Sequence, residues 1–312
     1  MNVKFALSTS WRPELVPEAF VDKALELGFD ALELGYAVRP PQVDGFKRRL
    51  GEMPVGSVHA FCPVPISAPA THPELYSLAA ADAESRALAR IQLTRTIECA
   101  AEVGASAVVL HAGRVGFGTF FSRAFATDAL RTALQKEKGD LNAAKYAKML
   151  KKAQLTRKKR GEKRLDVFKA EVEKLLPLLE KHHIVLGLEN LPYLEAFPDE
   201  TELLRLLDAF KDAPLKGWFD TGHDRVREMH GWRTETAEDF RKEPDRFVGL
   251  HLNDVVDYHD DHGAPGMGKV DFAALLPLLK SAAHVVFEPH AHVSTDQLRQ
   301  GLRNIRELCA GA

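Results

Sequence analysis

The sequence predicts an α/β architecture, a single (β/α)₈ (TIM) barrel spanning residues 1–312. Two observations carry that prediction. Short apolar runs alternate with amphipathic segments along the whole chain, about eight strand–helix pairs in all, which is the pattern of a parallel sheet wrapped in helices. Several of those runs also end abruptly in His, Asp or Glu, as strands do on the C-terminal rim of a parallel barrel. No Gly-x-Gly-x-x-Gly follows the first strand, which speaks against an open dinucleotide-binding sheet.

Residues 3–7 read as the first strand, ending in Ser8-Thr9-Ser10. Residues 13–27 carry Leu15, Phe20, Ala24 and Leu27 at helical spacing, and Gly28 closes that helix. The second strand is predicted at 30–35 (DALELG) and the third at 55–59. A helical region over 73–103 stops at Gly104, and the apolar run 107–111 (AVVLH) is the fourth strand. Residues 165–183 read as a helix feeding a fifth strand at 184–189. A helix at 200–210 precedes the sixth strand, 215–219, which ends in Asp220. The seventh begins the stretch FVGLHLNDVVDYHDDHGAPGMGKVDF at residues 247–272, whose last three residues start a helix. The eighth covers 285–288, and a last helix covers 295–309.

Residues 115–164 break the regularity, being far longer than a βα connection needs. They read as a helical insertion after strand four, on the catalytic face. Between Lys136 and Lys169 there are thirteen Lys/Arg against four Asp/Glu, a local charge of +9 in a chain of net charge −2. A solvated helical hairpin is one reading of this segment. The other is a cationic lid over an anionic substrate or a nucleic-acid backbone.

Composition narrows the class. With 45% hydrophobic and 28% charged residues the chain suits a globular protein with a sizeable core. Three cysteines at unrelated spacings imply neither a disulfide framework nor a Cys-based zinc site. The N-terminus has no signal-peptide pattern and no run reaches the ~18 apolar residues of a membrane helix, so a cytoplasmic protein with no membrane partner is expected. No motif bears on oligomeric state.

The predicted strand ends supply the chemistry. Strand three ends at His59, four at His111 and five at Glu189. Strand six gives Asp220 and, three residues on, His223. Strand seven gives His251, its loop gives Asp260 and His262, and strand eight ends at Glu288. Any one of these could simply cap a strand. Nine imidazoles and carboxylates converging on one mouth would repel and be poorly solvated unless cations neutralised them. A site holding several divalent ions is therefore expected, with Zn, Mn and Fe all suiting such ligands. Arg114, Asn190, Asn253 and Lys269 are weaker candidates for binding a phosphate or hydroxyl of the substrate, and Tyr36 for lining the pocket.

These residues carry a resemblance. His59, His111-Ala-Gly, Glu189-Asn190, Asp220-Thr-Gly-His223, His251-Leu-Asn-Asp254, Asp260-Asp-His262 and Glu288 resemble the xylose isomerase-like barrel superfamily (AP endonuclease family 2), with a metal set similar to that of endonuclease IV. The resemblance implies up to three divalent metals. One would lie on His59, His111 and Glu189, a second on Glu189, Asp220, His251 and Glu288, and a third on His223, Asp260 and His262. Asp257 and His259 share the Asp-x-His form, but the family's spacing before Gly266-x-Gly268 favours Asp260 and His262. It further implies a hydrolase acting on a phosphoester or similar bond of an anionic substrate. The alternative it implies is a sugar or sugar-phosphate isomerase/epimerase with one metal, in which Glu189 and Glu288 are the catalytic acid and base. The Ala-Phe-Cys-Pro stretch after His59 and the basic insertion are both foreign to the repair enzymes. Nucleic acid, or a role as a non-catalytic binding module, is therefore not favoured over a small anionic or sugar-like substrate.

Overall fold

Eight parallel strands close into a barrel, each pairing with the next in sequence and the last with the first. In this computed structural model, residues 3–66, 68, 70–116, 126–259 and 262–311 are described. The strands are β1 (Phe5–Ser8), β2 (Ala31–Leu34), β3 (Val55–His59), β4 (Ala107–Leu110), β5 (Val185–Glu189), β6 (Leu215–Asp220), β7 (Phe247–Leu252) and β8 (His284–Phe287). The helices are α1 (Pro17–Leu27), α2 (Pro40–Arg48), α3 (Ala83–Glu102), α4 (Ala126–Lys136), α5 (Ala144–Glu173), α6 (Leu176–His182), α7 (Glu200–Ala209), α8 (Thr221–Met229), α9 (Ala237–Lys242), α10 (Leu276–Ser281) and α11 (Thr295–Ala310). No helix among the described residues is long and apolar enough to cross a membrane.

The strand period of two builds the core in two shells. Leu7, Val108, Leu110, Leu186, Leu188, Phe219, Leu250 and Phe287 belong to the large cluster between sheet and helices. Their neighbours Ala6, Ala107, Val109, Trp218 and Val286 form a smaller cluster of their own, joined by Val248 where the pairing of β6 with β7 shifts register. Trp218 is fully buried there, and Gly249 makes room for it, since a Cβ on Gly249 would stand 2.3 Å from the indole. Two residues beyond Val109, Gly187, Trp218, Gly249 and Val286 come His111, Glu189, Asp220, His251 and Glu288. The same alternation that packs the lower barrel thus sends all five to its upper, C-terminal end.

Three predicted helix starts shift, the first of them from residue 13 to Pro17, where α1 begins. Residues 73–82 are turns before α3, which begins at Ala83 behind the Asp82 cap, whose carboxylate accepts from Ser85 N at 2.7 Å. Residues 270–275 are likewise turns, and α10 begins only at Leu276.

The insertion and the predicted helix after it merge. α5 runs unbroken through position 164, so the basic stretch and the barrel helix are one 30-residue element. Its apolar face buries Tyr146, Leu165, Phe168 and Val172. With α4 it forms a hairpin whose cluster includes Leu130, Leu134 and Tyr146 against Leu194, Val226, Trp232 and Val255. Those last four lie beyond the ends of β5, β6 and β7. Arg157 is buried beneath the helix and pairs with Asp199 at 2.6 Å and Glu202 at 2.5 Å. Gly161 allows that approach, since a Cβ there would meet Glu202 at 1.9 Å.

Removing one member of a buried ion pair strands the other, at a cost of about 3–5 kcal/mol. Arg157→Ala is expected to lower the urea unfolding free energy by that order. The exposed Lys159→Ala should change it by less than about 0.5 kcal/mol. Equal effects would show that α5 is not anchored through Arg157.

Candidate metal centre

Glu189 from β5, Asp220 from β6, His251 from β7 and Glu288 after β8 bring one donor atom each within 4.8 Å of one another, all buried. His251 stands at the centre, its Nδ1 lying 3.2 Å from Glu189 Oε1, 3.2 Å from Glu288 Oε2 and 4.0 Å from Asp220 Oδ2. His59, His111 and Glu189 form a second such group around Glu189 Oε2, 3.3 Å from His59 Nε2 and 3.0 Å from His111 Nε2. His223 and His262 face each other with ring centroids 5.5 Å apart. Asp260, the third member expected with them, lies outside the described residues.

Hydrogen bonds fix which nitrogen each imidazole presents. The Nδ1 of His59 donates to Ala60 O at 2.7 Å, that of His223 to Asn190 O at 2.8 Å, and that of His262 to Glu288 O at 2.8 Å. All three rings therefore present Nε2 as the lone-pair nitrogen. His251 is reversed. Its Nε2 lies 3.0 and 3.1 Å from the two oxygens of Glu33, which also accepts from Ser57 Oγ at 2.8 Å. A carboxylate behind a ligating imidazole fixes its tautomer and orientation, here leaving Nδ1 for the three acidic groups.

The charges are unevenly held. Burial opposes ionisation of Glu189, yet His111 and His251 beside it outweigh burial and hold its carboxyl well below the usual carboxylate range. Burial pushes Glu288 up, against the pull of His251 and His262. Asp220 is also raised by burial, with the charge of Glu189 adding to the effect. Burial presses His251 to stay neutral, but Glu288, Glu33 and Glu189 overcome it and hold the ring well above the ordinary imidazole value. Burial brings His111 down to about 4, against the pull of Glu189, and its Nδ1 is buried with no hydrogen-bond partner. Three carboxylates around one imidazole nitrogen fit a divalent cation, whose charge and oxygen affinity match that donor set.

The remaining predicted residues take supporting places. Both amide ends of Asn190 engage the Asp220 backbone, donating at 3.0 Å and accepting at 2.8 Å. Asn253 Nδ2 donates to Asp220 Oδ2 at 2.7 Å. Arg114 Nε donates to Glu74 Oε2 at 2.6 Å, and its guanidinium carbon stands 3.3 Å over the Tyr193 ring. Lys269 is exposed and lies over Tyr258 instead. A cavity of about 130 Å³ opens above the cluster, and Tyr36, His72, Glu74, Tyr193 and His290 join the histidines around it.

Sequence reasoning missed Glu33, and the signal was present. In DALELG a carboxylate sits between Leu32 and Leu34, and the period of two turns Glu33 inward while they pack outward. His290 was also missed; it stacks on His262 at 4.0 Å.

Comparison with known proteins follows this geometry. A family model described as "Xylose isomerase-like TIM barrel" matches residues 21–308. No curated protein matches the sequence significantly. Among solved structures, a D-tagatose 3-epimerase-like protein is similar at a TM-score of 0.65 and 19% identity, covering 99% of this chain and 98% of its own. The apo form of 3-keto-D-glucoside 4-epimerase from E. coli gives 0.65 at 18% identity, covering 97% and 99%. A protein from Thermus thermophilus soaked with ZnCl₂ gives 0.62 at 20%, covering 100% and 99%. At these identities the likeness is one of fold.

Two outcomes are expected at this centre. Glu33→Gln should weaken divalent-ion binding about 10–100-fold by calorimetry, the usual effect of losing a ligand's hydrogen-bonded support. An unchanged affinity would remove Glu33 from the centre. His251 holds its proton above the ordinary imidazole value of 6.5, and the ion must displace that proton. Apparent affinity should therefore keep rising as pH passes ~6.5. A plateau beginning below that pH would contradict the assignment.

Proposed function

We propose that this chain, which belongs to the xylose isomerase-like TIM barrel family, is a divalent-metal-dependent isomerase or epimerase of a sugar or sugar-like hydroxy-ketone. One observation carries the reading. Glu189 and Glu288 both reach His251 Nδ1 at 3.2 Å, yet their surroundings drive them apart, Glu189 towards the ionised form and Glu288 towards the neutral one. Two carboxyl groups so separated are the mark of an assigned base and acid.

Glu189, Asp220, His251 and Glu288 would hold the ion. When bound, it polarises the substrate's carbonyl and adjoining hydroxyl and offsets the negative charge that develops on oxygen. Glu189 then takes the proton from the carbon beside the carbonyl, and Glu288 supplies a proton to that carbon's other face or to its neighbour. Returning it to the same carbon inverts one centre, and returning it to the neighbour interconverts ketose and aldose. Both outcomes balance: one C–H bond is broken and one formed, and in the ketose–aldose case the hydroxyl proton passes to the former carbonyl oxygen. The small cavity suits a compact polyol better than a nucleic-acid strand, and Tyr36 and Tyr193 on its wall offer hydroxyl partners. The structurally similar epimerases, and a relative soaked with zinc, support the same reading.

A hydrolytic reading ranks second. It rests on His59 and His111, which with Glu189 offer a second set of donors that a single-ion isomerase does not need.

The test is incubation with a panel of ketohexoses in deuterated water with Mn²⁺. An epimeric or aldose product carrying carbon-bound deuterium is expected. Glu189→Gln and Glu288→Gln should each slow its appearance by about 10²–10⁴-fold, the span of positioned acid–base catalysis. Cleavage of a phosphodiester by the same preparation, with no deuterium entering any sugar, would overturn the proposal in favour of hydrolysis.

A further inference from the structure

Between Ala144 and Arg164, α5 carries ten Lys/Arg against one acid, Glu162, in a chain of net charge −2. An α-helix turns about 100° per residue, so Lys145, Lys148, Lys152, Lys159 and Lys163 fall within an arc of about 60°. Arg157, Leu165, Phe168 and Val172 fall on the opposite side and are buried. All five lysines are exposed, so they form a straight stripe on the outer surface, about 27 Å long at ~1.5 Å per residue. Thr156 fills the one turn in which the stripe lacks a lysine.

The stripe is not neutralised within the chain. Among the described residues none of the five lysines has an ion-pair partner, and Glu162 is held by Arg205 at 2.6 Å. Lys151 and Lys158 flank the stripe and are exposed as well. On other helices exposed cations are matched by acids: Lys23 by Glu26, Lys47 by Glu102, Arg48 by Glu18 and Arg299 by Asp296. Like charges in successive helical turns repel one another, and an external polyanion would relieve that repulsion.

We propose that the outer face of α5 docks on the phosphate backbone of a duplex nucleic acid, through charge and without reading sequence. Ammonium groups repeated along a rigid rod suit a regular row of phosphates, and release of condensed counterions drives the association. The stripe is a little shorter than one duplex turn of ~34 Å. Tyr146, the one aromatic residue of this stretch, is buried, so nothing on the stripe stacks an unpaired base, which favours a duplex over a single strand. An anionic lipid surface fits less well, because a helix lying in a membrane buries an apolar face there, and that of α5 is already buried in the fold. A protein partner fits less well too, since protein interfaces are depleted in lysine. No residue of α5 lines the cavity above the metal centre, so docking is independent of the reaction at the barrel mouth.

The experiment is fluorescence anisotropy of a labelled duplex of arbitrary sequence with the full-length protein, over salt concentrations from about 50 to 200 mM. The wild type is compared with Lys152→Gln/Lys159→Gln on the stripe and with Lys23→Gln/Lys47→Gln elsewhere, which removes the same charge; circular dichroism checks each fold. Vesicles containing phosphatidylserine are the parallel probe. The wild type is expected to bind the duplex with log K falling against log salt at a slope between about −3 and −5, as for four or five phosphate contacts. The stripe variant should lose about two units of that slope and about tenfold or more in affinity at the lowest salt, and the other double variant should bind like the wild type. No duplex binding at the lowest salt, equal losses in the two double variants, or binding to the vesicles alone would overturn the proposal.

Discussion

The centre of this barrel depends on the approach of three carboxylates to one imidazole nitrogen. Glu189, Asp220 and Glu288 are all buried, and His251 Nδ1 is the point they share. Removing like charges from water and holding them together is unfavourable unless something positive joins them. His251 partly answers this, and Glu33 behind it keeps the ring turned the right way. The rest follows outward from that demand. Asn253 donates to Asp220, Asn190 clamps the Asp220 backbone, and Asp254 gathers the backbone N–H groups of Gly266, Gly268 and Val270. Below the charged layer Trp218 seals the barrel, and glycines in β5 and β7 give its ring space.

The strand ends were legible in the sequence because a buried parallel strand is a short apolar run and its last inward residue breaks that run. His59, His111, Glu189, Asp220, His251 and Glu288 could be read off that rule, and the structure gathers them into three overlapping groups. The same rule hid Glu33. It lies within its run rather than after it, and only the inward–outward alternation of β2 reveals it. Helix starts were less legible. Residues 73–82 have a helical composition, yet the Asp82 cap sets the start of α3, and that cap is decided by backbone conformation. The supporting roles of Asn190 and Asn253 were not readable, because a partner across two strands leaves no local mark.

The basic stretch shows how composition misleads at the boundary of an element. Its charges suggested a segment apart from the barrel, with an end near residue 164. In the structure the lysines line the outward side of α5 while Tyr146, Arg157, Leu165 and Phe168 face inward, so one helix is both solvated and structural. Its hairpin with α4 reaches over the ends of β5, β6 and β7, where it packs on Leu194, Val226, Trp232 and Val255. An element that reads as a charged surface is thus also part of the packed core.

The central claim is that one divalent ion, held by Glu189, Asp220, His251 and Glu288, is what this barrel is built to carry. Elemental analysis of protein prepared without chelators tests it most directly. Close to one ion per chain is expected, lost in Asp220→Ala and retained in His262→Ala. Close to three ions per chain, falling in both His59→Ala and His262→Ala, would contradict the single-ion account and restore the multinuclear hydrolase.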